Sequence, residues 1–256
     1  MKKPRLGFFK YSCCSGCEFA FIFFQERVLE SLAGFEMVFC RMVSSGGTAE
    51  GPFDLALVEG TITESWQIDE LKKIRDNSRL LYAIGSCATN GGIPAIKATG
   101  VEQEIEKRVY GNLSTIHSIR PSHIAAYVHL DGEIKGCPPA DQDLHEVLTS
   151  VMLGKKPYLP DQSVCMECKM AGNICLLVAD DKPCMGPVTS AGCGALCPSF
   201  DRACYSCWGP MKQANAMALA RRFEGMGLSP GQIVRRFTLF GAETIEYRKV
   251  REYYES

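Results

Sequence analysis

The chain carries almost no net charge. Its 28 Lys and Arg against 29 Asp and Glu leave a formal −1 over 256 residues, with a sequence pI near 6.4. That balance gives no electrostatic footprint for nucleic acid. The few basic pairs, such as Arg221-Arg222 and Arg235-Arg236, read as solvated helix faces. Long hydrophobic runs are missing as well. The apolar stretch around Phe19–Phe24 is broken by Gln25, Glu26 and Arg27, far short of a membrane span. Met1–Leu6 has neither a secretory leader's apolar core nor a twin-arginine pair, and the polar C-terminus offers no anchor. The expectation is a soluble, cytoplasmic protein with neither nucleic acid nor membrane as partner. No internal repeat and no low-complexity tract occurs. Gly91-Gly92 lies in no G-x-G-x-x-G, which argues against a nucleotide site. No acid–base pair or nucleophile stands out.

What the chain does have is cysteine, fourteen copies, with eight between Cys165 and Cys207. Those eight are Cys165, Cys168, Cys175, Cys184, Cys193, Cys197, Cys204 and Cys207, separated largely by Gly, Pro and small residues. Such a segment cannot bury enough side chain to hold itself together and needs a cross-link. Disulfides require an oxidising compartment. Zinc would use the C-x2-C pairs Cys165/Cys168 and Cys204/Cys207 and leave the other four thiols idle. Eight thiolates divide evenly into two sets of four, the ligand count of a [4Fe–4S] cluster, and the chemistry favours that use.

Upstream, short apolar runs alternate with amphipathic stretches. Strands are expected at Arg5–Lys10, Phe35–Met42, Asp54–Val58, Leu80–Ile84 and Glu133–Gly136, with a minor one at Ala125–Val128. Helices are expected over Glu18–Leu32, Glu64–Asn77, Val101–Tyr110 and Asp141–Met152. Alternation of this kind implies a parallel sheet with helices on both faces. Residues 156–210 should have little regular structure. They precede helices near Met211–Gly225, after the Ser229 N-cap with Pro230, and over Ala242–Glu255. Open α/β sheets bind ligands beyond the carboxyl ends of their strands. Cys13, Cys14 and Cys17 follow the first strand, Cys87 follows Leu80–Ile84, and Cys137 follows the closing strand. One crevice can gather Cys14, Cys17, Cys87 and Cys137 as ligands of a third cluster. Cys40 and the aromatic run Phe19, Phe21, Phe23, Phe24 read as core, the latter with a subunit interface. Trp66 and Trp208 are ambiguous, a shield against water being one reading of Trp208 beside Cys207; Glu18 and Glu59 read as solvated or helix-capping carboxylates, with a proton path as the alternative.

Several motifs carry a resemblance. Cys14-Ser15-Gly16-Cys17, Glu59-Gly60, Gly85-Ser86-Cys87, Gly136-Cys137-Pro138-Pro139 and the C-x-G-P of Cys184–Pro187 occur in one order. In that order the chain resembles the small, electron-transfer subunit of [NiFe] hydrogenases over nearly its whole length. Val164–Cys168 and Gly186–Thr189 are similar to a run in the delta subunits of soluble, NADP-linked sulfhydrogenases. The resemblance implies a flavodoxin-like domain over 1–155 and an irregular iron–sulfur domain with short helices over 156–256. It also implies three [4Fe–4S] clusters. The proximal one falls to Cys14, Cys17, Cys87 and Cys137, the medial one to Cys193, Cys197, Cys204 and Cys207, and the distal one to Cys165, Cys168, Cys175 and Cys184. Implied partners are a large subunit carrying the NiFe site and a flavin or iron–sulfur subunit. Two departures from respiratory members stand out: Cys165 replaces their distal histidine, and Cys197 offers a fourth thiolate at their usually three-iron medial site. The other classes weighed are a quinone-module subunit of respiratory complex I, which lacks the eight downstream cysteines, and a zinc-stabilised binding module.

Overall fold

A computed structural model describes residues 2–23, 26–43, 45, 47–100, 102–112 and 117–256. In chain order its first elements are β1 (Arg5–Lys10), α1 (Gly16–Phe23), α2 (Glu26–Leu32), β2 (Glu36–Cys40), β3 (Phe53–Glu59), β4 (Ile62–Glu64), α3 (Ser65–Asp76), β5 (Ser78–Ile84) and α4 (Gly85–Asn90). Then come α5 (Glu102–Tyr110), β6 (Ser118–Ser122), β7 (Gly132–Ile134), α6 (Asp141–Met152), α7 (Val164–Met170), α8 (Leu176–Ala179) and α9 (Leu196–Ser199). Three longer helices close the chain: α10 (Ala216–Gly225), α11 (Pro230–Thr238) and α12 (Ile245–Glu255).

Five strands form one parallel sheet in the order β2-β1-β3-β5-β7. Counted within that sheet, this is the 2-1-3-4-5 order of flavodoxin-like folds, with its switch point beside β1 and β3. Both faces are covered, so the strands read as near-continuous apolar runs. Leu6, Phe8, Leu55, Leu57 and Ile84 face one layer with Phe21, Leu144 and Leu148. Phe9, Ala56, Val58, Leu81 and Ala83 face the other with Leu71, Ile74 and Ile124. Gly7 interrupts β1 because a Cβ there would stand 2.8 Å from the Phe9 ring and 2.9 Å from Phe53.

A third core lies among α10, α11 and α12, built on Phe223, Ile233, Phe237, Tyr247 and Val250. It includes Val164, Cys184, Met185, Val188 and Cys204, so the cysteine-rich segment leans on these helices for the apolar contacts it lacks. Each fully buried aromatic there contributes roughly 1.5–3 kcal/mol. The start of α11 is fixed as its sequence implies: Pro230 takes the first position and Gln232 Oε1 accepts Ser229 N at 2.8 Å. Arg120 of β6 donates to both oxygens of Glu243, at 3.1 and 3.0 Å, tying the sheet half to the C-terminal helices.

Several expectations change. Ala125–Val128 is no strand; Ile124–Ala126 forms a 3-10 turn. The extra pairing is antiparallel, β4 with β6. Gly85–Asn90, between the expected strand Leu80–Ile84 and the expected helix Val101–Tyr110, forms the short helix α4. The described parts of the expected Glu18–Leu32 segment are helical, as α1 and α2. Phe24 and Gln25 within it, and Val101 at the start of the next, lie outside the described residues. The expected Met211–Gly225 helix begins only at Ala216, where Asn215 Oδ1 accepts Ala218 N at 3.1 Å. Among the described residues no helix is long and apolar enough to cross a membrane.

Candidate functional site

The first thiol group stands at the carboxyl ends of β1, β5 and β7. Cys13 and Cys14 leave β1, Cys17 sits in the first turn of α1, Cys87 in α4, and Cys137 three residues beyond β7. Backbone bonds join these loops: Tyr11 N donates to Glu59 O at 2.9 Å, and Ser86 N to Gly136 O at 2.7 Å. Gly85 has φ +82°, and a Cβ there would overlap Cys17 Sγ. The sulfurs share one electrostatic neighbourhood. Burial, and then Cys137 and Cys14, push the Cys87 thiol up to about 12. Burial, with Glu59, Cys87 and Cys137 behind it, raises Cys17 further, and burial with Cys14 raises Cys137.

Two buried carboxylates back this crevice, each only 1% exposed. Of the two readings from sequence, solvated or helix-capping, neither group is solvated, and Glu59 is a cap. Glu59 Oε2 accepts Glu18 N at 3.0 Å, so Glu59 caps α1 from a neighbouring strand. Glu59 Oε1 accepts from Cys13 Sγ at 3.3 Å, and burial pushes the Glu59 carboxyl's pKa up. Glu18 Oε1 accepts from Cys40 Sγ at 3.2 Å and from Met42 N at 3.3 Å, with Lys10 Nζ 3.6 Å from Oε2. Cys40 is therefore a buried thiol with a specific partner. Cys13 donates to Glu59 and also raises Cys17, whereas Cys14 raises both Cys87 and Cys137.

Downstream, Cys165 and Cys168 lie one turn apart on α7, Cys175 precedes α8, and Cys184 precedes the 3-10 turn Gly186–Val188. The four line one cavity with Leu176, Pro187 and Pro198. A Cβ on Gly186 would stand 3.5 Å from both Cys165 Sγ and Cys184 Sγ. Burial, then Cys184, Cys168 and Cys175, push Cys165 up to about 11. Cys193, Cys197, Cys204 and Cys207 form the remaining group. Burial raises Cys207, followed by Cys204, Cys193, Cys197 and Cys137. Glu167, inside the Cys165–Cys168 turn, accepts Gly192 N at 2.8 Å and Ala195 N at 3.2 Å, and so holds the Cys193 loop against α7. Sequence reasoning passed over Glu167, although a carboxylate between two paired cysteines was the available signal.

The three groups are joined. Ser86, next to Cys87, donates its hydroxyl to Cys207 O. Cys204 N donates to Cys184 Sγ at 3.2 Å. Trp208 is 8% exposed. Its ring lies against Gly136 and Gly192, the glycines next to Cys137 and Cys193, where added Cβ atoms would stand 2.8 and 2.7 Å from it.

The donor chemistry fits iron–sulfur clusters. Four thiols per group match the cluster's ligand number. Their mutual repulsion and burial disfavour thiolates unless a cationic centre accompanies them, and a bound metal reverses that preference. Glycine clears the approach to the sulfurs at Gly85 and Gly186. Among the described residues no three His, Cys, Asp or Glu side chains are placed to hold a single metal ion.

Residues 14–151 match the family described as NADH ubiquinone oxidoreductase, 20 kDa subunit. Sulfhydrogenase 2 subunit delta of Pyrococcus furiosus is 34% identical over 212 residues, spanning 82% of this chain and 88% of that one. A subunit of the F420-non-reducing hydrogenase vhu of Methanococcus voltae is 27% identical, spanning 95% of this chain and 96% of its own. The fold is that of a chain in the actinobacterial-type NiFe-hydrogenase of Ralstonia eutropha H16, at TM-score 0.60 and 15% identity, over 100% of this chain and 90% of that one. A chain of an NAD+-reducing [NiFe]-hydrogenase superposes at TM-score 0.55 and 24% identity, over 62% of this chain and 96% of that one. The chain belongs to the NADH ubiquinone oxidoreductase 20 kDa subunit family, as a small subunit of the [NiFe]-hydrogenase type.

Proposed function

We propose that this small subunit relays electrons through three [4Fe–4S] clusters, between a NiFe site on a large subunit and a flavin or iron–sulfur partner. Cys14, Cys17, Cys87 and Cys137 would hold the proximal cluster, Cys193, Cys197, Cys204 and Cys207 the medial one, and Cys165, Cys168, Cys175 and Cys184 the distal one. When bound, such clusters supply one-electron redox chemistry. The single observation that carries the reading is the pair of links between thiol groups, Ser86 to Cys207 and Cys204 to Cys184. They support the order proximal, medial, distal, with one hydrogen bond spanning each gap. The chain's own residues set the thiols in place, exclude water with Trp208, and put donors on sulfur.

Two exposed apolar surfaces suit partners at either end. Phe19 and Phe23 stack at 5.5 Å on α1 and are 48% and 73% exposed, beside Cys14; this face would receive the large subunit. Met170, Ile174, Val178 and Phe200 are exposed around the distal group and would receive the electron partner. Relatives named as NAD-reducing hydrogenases support a nicotinamide nucleotide as terminal acceptor, NADP in this proposal. The division into a sheet domain over 1–155 and a cluster domain over 156–256, and a cytoplasmic location, belong to the same proposal.

The test is to purify the co-expressed complex anaerobically and supply hydrogen with NADP, NAD, ferredoxin or a deazaflavin in turn. Bleaching of the visible iron–sulfur absorption with reduction of NADP is expected. A complex whose absorption does not respond to hydrogen contradicts the relay, and turnover with the deazaflavin alone contradicts the acceptor. The complex I reading has the family match over 14–151 in its favour. The eight thiols gathered beyond that range speak for the hydrogenase reading.

A further inference from the structure

Behind Cys204 lies a run of buried hydroxyls that neither packing nor the relay geometry requires. Thr189 Oγ1 is 3.6 Å from Cys204 Sγ and 3.0 Å from Ser206 Oγ, which is 2.5 Å from Tyr247 OH. Thr189, Ser206 and Tyr247 are each 1% exposed, so bulk solvent does not reach these groups. Ser206 N also donates to Cys204 Sγ, at 3.4 Å.

The protons of this hydroxyl run can point in either direction. With Cys204 as a thiol, its Sγ–H donates to Thr189 Oγ1, and Thr189 donates to Met185 O at 2.7 Å. A thiolate bound to metal has no proton to give. The order then reverses: Tyr247 donates to Ser206, Ser206 to Thr189, and Thr189 to Cys204 Sγ. Met185 O keeps a donor after the reversal, because Val188 N reaches it at 3.1 Å. Nothing buried is left unsatisfied, so the reversal is inexpensive.

We propose that Thr189, Ser206 and Tyr247 are positioning residues that order a hydroxyl chain onto Cys204 Sγ and raise the reduction potential of the medial cluster. The inference rests on the three-cluster reading above. Each one-electron reduction adds a negative charge shared by the cluster and its thiolates, and donors aimed at sulfur stabilise that charge. Tyr247 lies in α12, so the last helix of the chain reaches the middle of the relay through this contact. Thr189 ends the Gly186–Thr189 run, and its hydroxyl gives that run a chemical reason.

The test is a redox titration of the assembled complex followed by electron paramagnetic resonance. The medial signal is the one removed by Cys207→Ser. Thr189→Val keeps the shape and deletes the hydroxyl. It is expected to change the oxidised-to-reduced ratio of the medial cluster about tenfold at fixed potential, a fall of about 59 mV, and to leave the other two clusters in place. Thr189→Ser should restore the wild-type value, and Tyr247→Phe should give a smaller fall in the same direction. A medial signal present and unshifted in Thr189→Val overturns the proposal, as does an equal fall in Thr189→Ser. If Thr189→Val loses the cluster, Tyr247→Phe decides: a fall supports the proposal and an unchanged potential overturns it. A wild-type complex without a medial signal overturns the three-cluster reading, and this proposal with it.

Discussion

At the scale of single residues, Cys13 and Cys14 are adjacent yet differently engaged. Cys13 Sγ donates to Glu59 Oε1 at 3.3 Å and burial raises it to about 12, whereas Cys14 perturbs Cys87 and Cys137. Cys13→Ser is therefore expected to leave the proximal paramagnetic signal and its hydrogen-dependent reduction largely intact, and Cys14→Ser to abolish both; the reverse pattern would require another ligand set. Asp143 gives a pH dependence. Burial, with Glu167 nearby, raises its pKa from 3.8 to about 7. The folded state thus binds a proton that the unfolded chain releases near pH 4. The stability linked to this group is fully present below pH 4, declines as pH rises, and is gone above about pH 7, a loss of about 4 kcal/mol. Asp143→Asn should flatten that decline in thermal unfolding from pH 4 to 8, and an unchanged profile would exclude Asp143 as its source. The thiols themselves were legible as four-membered groups from number and strand ends. Their partition downstream came only with the resemblance, because spacing alone permits several groupings of eight. Tyr247 and Thr189 were invisible as partners of Cys204, since Tyr247 is a tyrosine in a charged helix many residues away.

At the scale of elements, glycine positions separate conformational cost from crowding. Gly85 has φ +82° and no room for a Cβ beside Cys17; Gly154 has φ +66° and nothing within 4 Å. Gly154→Ala should cost only the left-handed backbone penalty, about 1–2 kcal/mol, with full iron content. Gly85→Ala should cost more and lose about four irons, those of the proximal cluster. Equal iron in both variants would mean that α4 does not set the proximal site. Strands buried on both faces were legible because Leu55–Val58 and Leu81–Ile84 are unbroken apolar runs. β6 was not, because Arg120 and Pro121 interrupt any alternation, and its partner β4 is three residues long. Ala125–Val128 misled for the opposite reason: a short apolar run carries no period, and here Ile124–Ala126 forms a 3-10 turn packed on the sheet core.

At the scale of the whole molecule, a doubly wound sheet presents one thiol group at its strand ends, and a helical layer supports two more within a segment that lacks its own core. The Phe19–Phe23 face and the apolar surface around the distal group then lie at opposite ends of the relay order. The chain by itself should consume no hydrogen, since it is a small subunit and the NiFe site is assigned to a large one; uptake by the purified single chain would contradict that division of labour. The measurement that bears most directly on the central claim is iron, sulfide and zinc analysis of the anaerobically reconstituted chain. Three four-iron clusters predict about twelve irons and twelve sulfides per chain, without zinc. About eleven irons with an oxidised three-iron signal would remove Cys197 from the ligand set, and near-zero iron with stoichiometric zinc would contradict the account as a whole.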